Sequence, residues 1–202
     1  MVLAGGRGSR LGHDKTDLII GSQRLFQRVL DRISFLDCQV IVVVGERGDC
    51  SRLADYPGYR AVTDIYPAKG PLGGIFTGLA ESKSLYNLVV ACDMPFLNKA
   101  LLGYMTRVAA GFDVVMPRLG TMVEPLHAVY TKACLLPIEQ MIKQGRLSVN
   151  RLLELVRVRY IDRDWINRFD PDLLSFFNIN TEADLEKARK LVGKGDIADD
   201  NC

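Results

Sequence analysis

Two unbroken apolar runs stand out along the chain: Val40 to Val44 reads VIVVV, and Leu88 to Cys92 reads LVVAC. A strand with one face in water alternates apolar and polar residues. These runs do not alternate, so they are expected to be covered on both faces, as in a parallel sheet. A different period governs SQRLFQRVLDRISFL, residues 22–36. There Leu25, Phe26, Val29, Leu30 and Ile33 recur at helical spacing, with Arg24, Gln27, Arg28 and Arg32 on the opposite face. The alternation continues with a short strand at RAVTD (60–64), a helix from about Leu72, the strand in NLVVACD (87–93) and a helix around Asn98 to Ala110. A strand in FDVVMP (112–117) follows, then helices after Ala133 and around Val149. With Val2, Leu3 and Ala4 as an apolar lead-in, this succession predicts an α/β sandwich with right-handed crossovers. No internal repeat or linker divides it. GKGDIADDNC (193–202) carries little apolar content and is expected to be a frayed tail, which leaves one domain over residues 1–192.

Open α/β sheets bind ligands beyond the carboxyl ends of their strands. That directs attention to residues 5–15, 45–50, 64–74 and 93–97, where the polar oddities gather. LAGGRGSRLGHDK, residues 3–15, holds four glycines, two arginines and one lysine. Bare backbone N–H groups beside cationic side chains favour an anion, most often phosphate. The spacing is neither G-x-G-x-x-G nor a Walker loop, because Gly12 is separated from Lys15 by His13 and Asp14. Asp93 directly follows a buried strand. It is placed either to hold Mg²⁺, a hard cation that prefers oxygen ligands and nucleotide phosphates, or to serve as a turn former or helix cap. Asp64 occupies the equivalent end of another strand. The GPLGG that follows it (70–74) offers Gly70, Gly73 and Gly74 for close approach of a base or ribose, or a tight entry into a helix.

Later in the chain, Glu124-Pro125-Leu126 leads into a candidate strand from His127 to Tyr130, with His127 read as a packed or edge residue. Asn178 and Asn180 flank Ile179 at strand spacing, so both are expected to face one side. Thr181 with Asp184 is an acidic variant of a capping box. Between Lys143 and Arg168 there are seven basic residues against three acidic ones, a solvated face or a cradle for a polyanionic acceptor.

Bulk properties narrow the function classes. The 202 residues are 48% hydrophobic and 25% charged with a net charge of +2, too small to imply nucleic acid or a membrane surface. No apolar run approaches the ~20 residues of a membrane span, and no signal peptide is visible. Five scattered cysteines without C-x-x-C spacing argue against a disulfide framework and for a reducing cytoplasm. Two histidines do not make a histidine-rich metal site.

The first loop has the pattern L-A-G-G, three residues, Arg, Leu, Gly, two residues, Lys. This resembles the signature of nucleotidyltransferases that join an NTP to a phosphorylated acceptor and release pyrophosphate. LAGGRGSRLGHDK, GPLGG, CDMPF, EPLHAVY and NINTEADL, taken in order, are similar to the MobA family of molybdenum cofactor guanylyltransferases over residues 2 to 192. The resemblance implies a three-layer α/β/α sandwich with a Rossmann-like, mostly parallel sheet. It also implies transfer of GMP from MgGTP to Mo-bound molybdopterin. Arg10, Lys15 and Asp93 would be catalytic, and Leu3, Ala4, Gly5, Gly6, Lys15, Asp64 and Asp93 would contact GTP. Asp93 would ligate Mg²⁺, and Asn178 and Asn180 would serve the acceptor. The implied partners are GTP and molybdopterin, with a companion GTP-binding protein as a further candidate. The chain is expected to be a cytoplasmic monomer that uses neither nucleic acid nor a membrane.

Two features depart from the family pattern. Gly45-Glu46-Arg47 stands where many members have a nucleotide-contacting Asn, and only two residues precede Leu3. The alternatives are a related transferase using CTP or a sugar phosphate acceptor, and a module that binds GTP without turnover. A Rossmann dehydrogenase would need the G-x-G-x-x-G spacing that the chain lacks.

Overall fold

The apolar runs become the buried centre of one sheet in the computed structural model, which describes residues 1–4, 18–45 and 58–193. In chain order the elements begin with β1 (Val2–Leu3), β2 (Ile19–Ile20), β3 (Gln23–Arg24), α1 (Leu25–Ile33), β4 (Val40–Val44) and β5 (Tyr59–Thr63). There follow α2 (Pro71–Glu81), β6 (Tyr86–Ala91), α3 (Lys99–Arg107), β7 (Val114–Leu119), β8 (Met122–Val123) and β9 (His127–Thr131). The rest are α4 (Leu135–Lys143), α5 (Val149–Leu153), β10 (Val158–Asp162), α6 (Arg163–Ile166) and α7 (Glu182–Gly193).

The sheet runs β10-β7-β9-β6-β1-β4-β5, with β8 paired to β7. All neighbours on the main path are parallel except those of β9, which lies antiparallel between β6 and β7. The candidate strand at His127 is therefore an inner one, and its five residues are all buried.

Two apolar layers explain why VIVVV does not alternate. Val42 and Val44 join Val2, Val90 and Val129 under Phe26, Val29, Leu101 and Met105, from α1 and α3. Ile41 and Val43 join Leu3, Val89 and Ala128 under Leu72, Ile75, Leu79 and Ile138, from α2 and α4. Both faces of the strand are dry, so every side chain is apolar. A third, smaller cluster holds Ile20, Leu25, Phe96, Ile179 and Leu185, and packs α7 onto the β2–β3 hairpin.

Three expectations need correction. Arg32 is buried at 7% exposure rather than solvated: it borders the apolar stripe of α1, where an arginine stem can be covered. The segment around Asn178 and Asn180 forms no strand. And the basic run hides a strand. Val158 to Asp162 is an edge strand in which Arg159 alternates with Val158 and Tyr160, as edges blunted by charge do.

The basic run is largely spent within the molecule. Lys143 pairs with Glu139 at 2.7 Å, Arg159 lies over the Phe112 ring and Arg168 over Trp165. Asp113 accepts from the Arg157 main-chain N–H (2.9 Å), Nε (3.1 Å) and Nη2 (2.9 Å), which ties β10 to β7. Those Arg157 hydrogen bonds hold the Asp113 carboxyl below the usual carboxylate range. No helix among the described residues is long and apolar enough to cross a membrane.

Candidate active site

Because β5, β4, β1 and β6 are parallel, their carboxyl ends share one edge. Ala4 leaves β1 there, with its N–H donated to Val43 O at 2.8 Å. Asp64 follows β5 and donates its N–H to Val44 O at 2.8 Å. Asp93 comes two residues after β6, past a Cys92 N–H that donates to Leu3 O at 3.1 Å. Leu3 itself is buried, its side chain in the core and its carbonyl in this ladder. Gly5, Gly6, Arg10 and Lys15, and the Glu46-Arg47 departure, lie outside the described residues.

Asp64 is held by its own loop. Its Oδ1 accepts from the Tyr66 N–H (3.0 Å) and from Thr77 Oγ1 (2.7 Å). Thr77, fully buried on α2, in turn accepts the Ile65 N–H at 2.9 Å. One carboxylate oxygen thus shapes the turn after β5, while no described residue donates to Oδ2. The glycines that follow serve packing more than ligand access. A Cβ on Gly73 would stand 2.5 Å from Tyr66 O and 3.0 Å from Asp64 Oδ2, and one on Gly74 would stand 3.0 Å from Leu3 Cδ1. A Cβ on Gly78 would run into the Met1 side chain. These absences of side chain let α2 lie close on β1. Only Gly70, at φ +62° with open space around it, matches the expected bare approach.

Asp93 is partly exposed, and its carbonyl accepts the Ile179 N–H at 3.0 Å. This bond brings the Asn178–Asn180 segment to the turn after β6 without strand pairing. Asn178 Nδ2 donates to Phe176 O at 3.2 Å. Thr181 caps α7 as expected: its Oγ1 donates to Asp184 Oδ2 (2.8 Å) and accepts the Asp184 N–H (3.2 Å). The Thr181 hydroxyl, with the Asn180 and Thr181 N–H groups, lowers the Asp184 pKa. Sequence reasoning missed the anchors of this segment. Buried Asp170 accepts the Leu174 and Ser175 N–H groups, and Asn98 joins Phe169 and Ser175 to the start of α3. The readable signal was Asn98 as the cap of α3, accepting from the Leu101 N–H.

His127 is packed, as its setting suggested. Its ring lies 4.9 Å from that of Phe176, and neither nitrogen has a hydrogen bond of ordinary geometry. Burial pushes its pKa down to about 4, a backbone group of Ser175 opposing the shift only weakly. It is therefore neutral near pH 7.

The described residues contain no group of three His, Cys, Asp or Glu side chains that could cage an ion. A single edge carboxylate such as Asp93 nevertheless suits Mg²⁺, which usually takes one or two carboxylates and completes its shell with phosphate oxygens and water.

A model of the MobA-like NTP transferase domain matches residues 1–160. A probable molybdenum cofactor guanylyltransferase of Pelotomaculum thermopropionicum is 37% identical over 192 residues, 95% of this chain and 92% of that one. The molybdenum cofactor guanylyltransferase of Desulfosudis oleivorans is 35% identical, covering 98% and 97% of the two chains. The crystal structure of molybdopterin-guanine dinucleotide biosynthesis protein A from Archaeoglobus fulgidus superposes with a TM-score of 0.83 at 31% identity, over 96% and 97% of the chains. A 4-diphosphocytidyl-2C-methyl-D-erythritol synthase from Anaerococcus prevotii, at 15% identity and a TM-score of 0.71, shares the fold alone. With its mostly parallel sheet, its loops gathered at the carboxyl edge and relatives matched over nearly their full length, this chain belongs to the MobA-like NTP transferase family.

Proposed function

We propose that this protein transfers GMP from GTP to Mo-bound molybdopterin, forming the guanine dinucleotide cofactor and releasing pyrophosphate. The observation that carries the reading is the junction at Asp93. The strand end bearing the candidate phosphate-side carboxylate is hydrogen-bonded to the segment bearing the candidate acceptor asparagines. Relatives bearing the guanylyltransferase name, matched across almost the whole chain, support the choice of substrates.

The chemistry asks little of acid–base groups. The nucleophile is the acceptor's phosphate monoester, largely dianionic at neutral pH because its second pKa is about 6. One of its oxygens bonds to the α-phosphorus as the bond from that phosphorus to the pyrophosphate oxygen breaks. In-line placement and neutralisation of the departing charge are what the protein must supply. Ala4, Asp64 and the glycine loop hold the nucleotide at the β5–β4–β1 side. Arg10 and Lys15 balance the phosphates, and Asn178 and Asn180 orient the acceptor across β6. Mg²⁺ held by Asp93 would supply further charge neutralisation on the phosphates when bound.

Calorimetric titration with GTP, CTP, ATP and NAD, with and without Mg²⁺, tests the nucleotide assignment. Saturable, magnesium-dependent binding of GTP alone is expected, and equal binding of CTP would overturn the guanine assignment. Pyrophosphate release that requires molybdopterin completes the test. Tight GTP binding with no covalent product would instead mark a binding module.

A further inference from the structure

Glu124 lies in the turn between β8 and β9, at the same sheet edge. Its N–H donates to Pro117 O at 3.2 Å, and its carbonyl accepts the His127 N–H at 3.1 Å. Leu126 O accepts the Ala91 N–H at 3.1 Å, two residues before Asp93. The turn is thus fixed between β7 and the end of β6. On its other flank His127 packs against Phe176, whose carbonyl receives Asn178 Nδ2–H.

The Glu124 side chain is half-buried, yet among the described residues it has no hydrogen bond and no ion pair. Burial alone raises its pKa. Other carboxylates in the molecule contrast with it: Asp113 takes three Arg157 donors, and buried Asp170 takes two backbone N–H groups. A carboxylate drawn partly out of water with no donor among the described residues carries a desolvation cost that those residues do not offset. Such groups gather at functional sites.

Two coplanar acceptor oxygens match a ligand that presents two parallel N–H donors. A pterin ring has such an edge, an amide N–H beside an exocyclic amino group, and guanine has the same one. Position separates the two sources. Glu124 belongs to the turn on the β9–β7 side of β6, three residues before the His127 that packs on Phe176, whereas Asp64 and Ala4 sit on the β1–β4–β5 side. We infer that Glu124 is a specificity residue for the acceptor, receiving the aminopyrimidinone edge of its pterin ring. This rests on the guanylyl-transfer reading for the identity of the acceptor.

The test compares wild type with Glu124→Gln, which replaces one acceptor oxygen by an opposing N–H₂ group. The probes are pterin-6-carboxylate, followed by its fluorescence, and the 2,4-dioxo analogue that lacks the amino group. Wild type is expected to prefer the pterin. The variant is expected to bind it roughly 10–100-fold more weakly, to lose the preference, and to keep its GTP Kd within about twofold. The unchanged GTP affinity doubles as the check on folding; should the variant fail it, Glu124→Asp, with its carboxylate drawn back by one methylene, is read in the same way. An unchanged pterin Kd in the variant, or no pterin binding by wild type, overturns the proposal. So does a variant that weakens GTP but not ITP, since Glu124 would then read guanine. Absence of guanylyl transfer in wild type, alongside Glu124-dependent pterin binding, would sink the function reading and leave this assignment standing.

Discussion

The main-chain N–H of Ile179 donates to the carbonyl oxygen of Asp93 across 3.0 Å. This backbone bond joins two segments 86 positions apart in the sequence, which also pack Phe96 against Phe177 and Ile179. The bond uses the Asp93 carbonyl, so it is kept whatever side chain stands at that position.

Asp93→Ala is expected to lower kcat/KM for guanylyl transfer by roughly 10²–10³, the usual loss for one preorganised electrostatic group. Lys15→Ala should lower it by a similar factor. The Ile179 bond to the Asp93 carbonyl survives the substitution, and a thermal midpoint measured beside the kinetics separates loss of charge from loss of fold. Transfer at near-native rates in either variant would refute the assigned roles.

Thr77→Val keeps the shape of a fully buried side chain but removes both the donor to Asp64 and the acceptor for the Ile65 N–H. Leaving those partners unpaired should cost about 1–3 kcal/mol. The turn after β5 loosens with it, so the GTP Kd should rise as well. A calorimetric Kd unchanged from wild type would mean that the Asp64 turn is not part of the nucleotide site.

Gly73→Ala drives a methyl group against the Tyr66 carbonyl, a backbone atom that cannot swing aside. Overpacking of this kind costs about 1–3 kcal/mol, more than the ~1 kcal/mol that alanine gains over glycine in a helix. A lower denaturation midpoint is the expected result. A higher one would show that the loop yields freely.

His127 makes stability depend on pH. Its folded pKa of about 4 lies below the ordinary value of 6.5, so between those limits the unfolded chain binds more protons. Its contribution is therefore complete above about pH 6.5 and is lost as the pH falls toward 4, at up to roughly 1.4 kcal/mol per pH unit. Denaturant titrations at pH 7 and pH 5 should show this loss in wild type and a shallower one in His127→Phe. Equal slopes in the two proteins would exclude the histidine as the cause.

The glycines mark where sequence reading reached and where it stopped. Their clustering at 70–74 drew attention to the carboxyl edge of the sheet, but glycine supplies either room for a ligand or room for a neighbouring element, and the string GPLGG is the same in both cases. Gly74 turned out to face Leu3. The basic run was equally ambiguous, because Arg159 carries the signature of a solvated face while belonging to an edge strand beside β7, and Arg157 just before it is tied to Asp113.

By itself the sequence determined the layer architecture, because VIVVV and LVVAC are stable only with both faces covered and the intervening helical stripes supply the cover. It also determined the cap of α7, since Thr181 and Asp184 meet within one helical turn. Only the tertiary structure decided that β9 enters antiparallel between β6 and β7, that Ile179 closes onto Asp93, and that Glu124 is left half-buried without a partner among the described residues. Those relations join residues dozens of positions apart, and local propensity carries no term for a contact that forms only once the sheet has assembled.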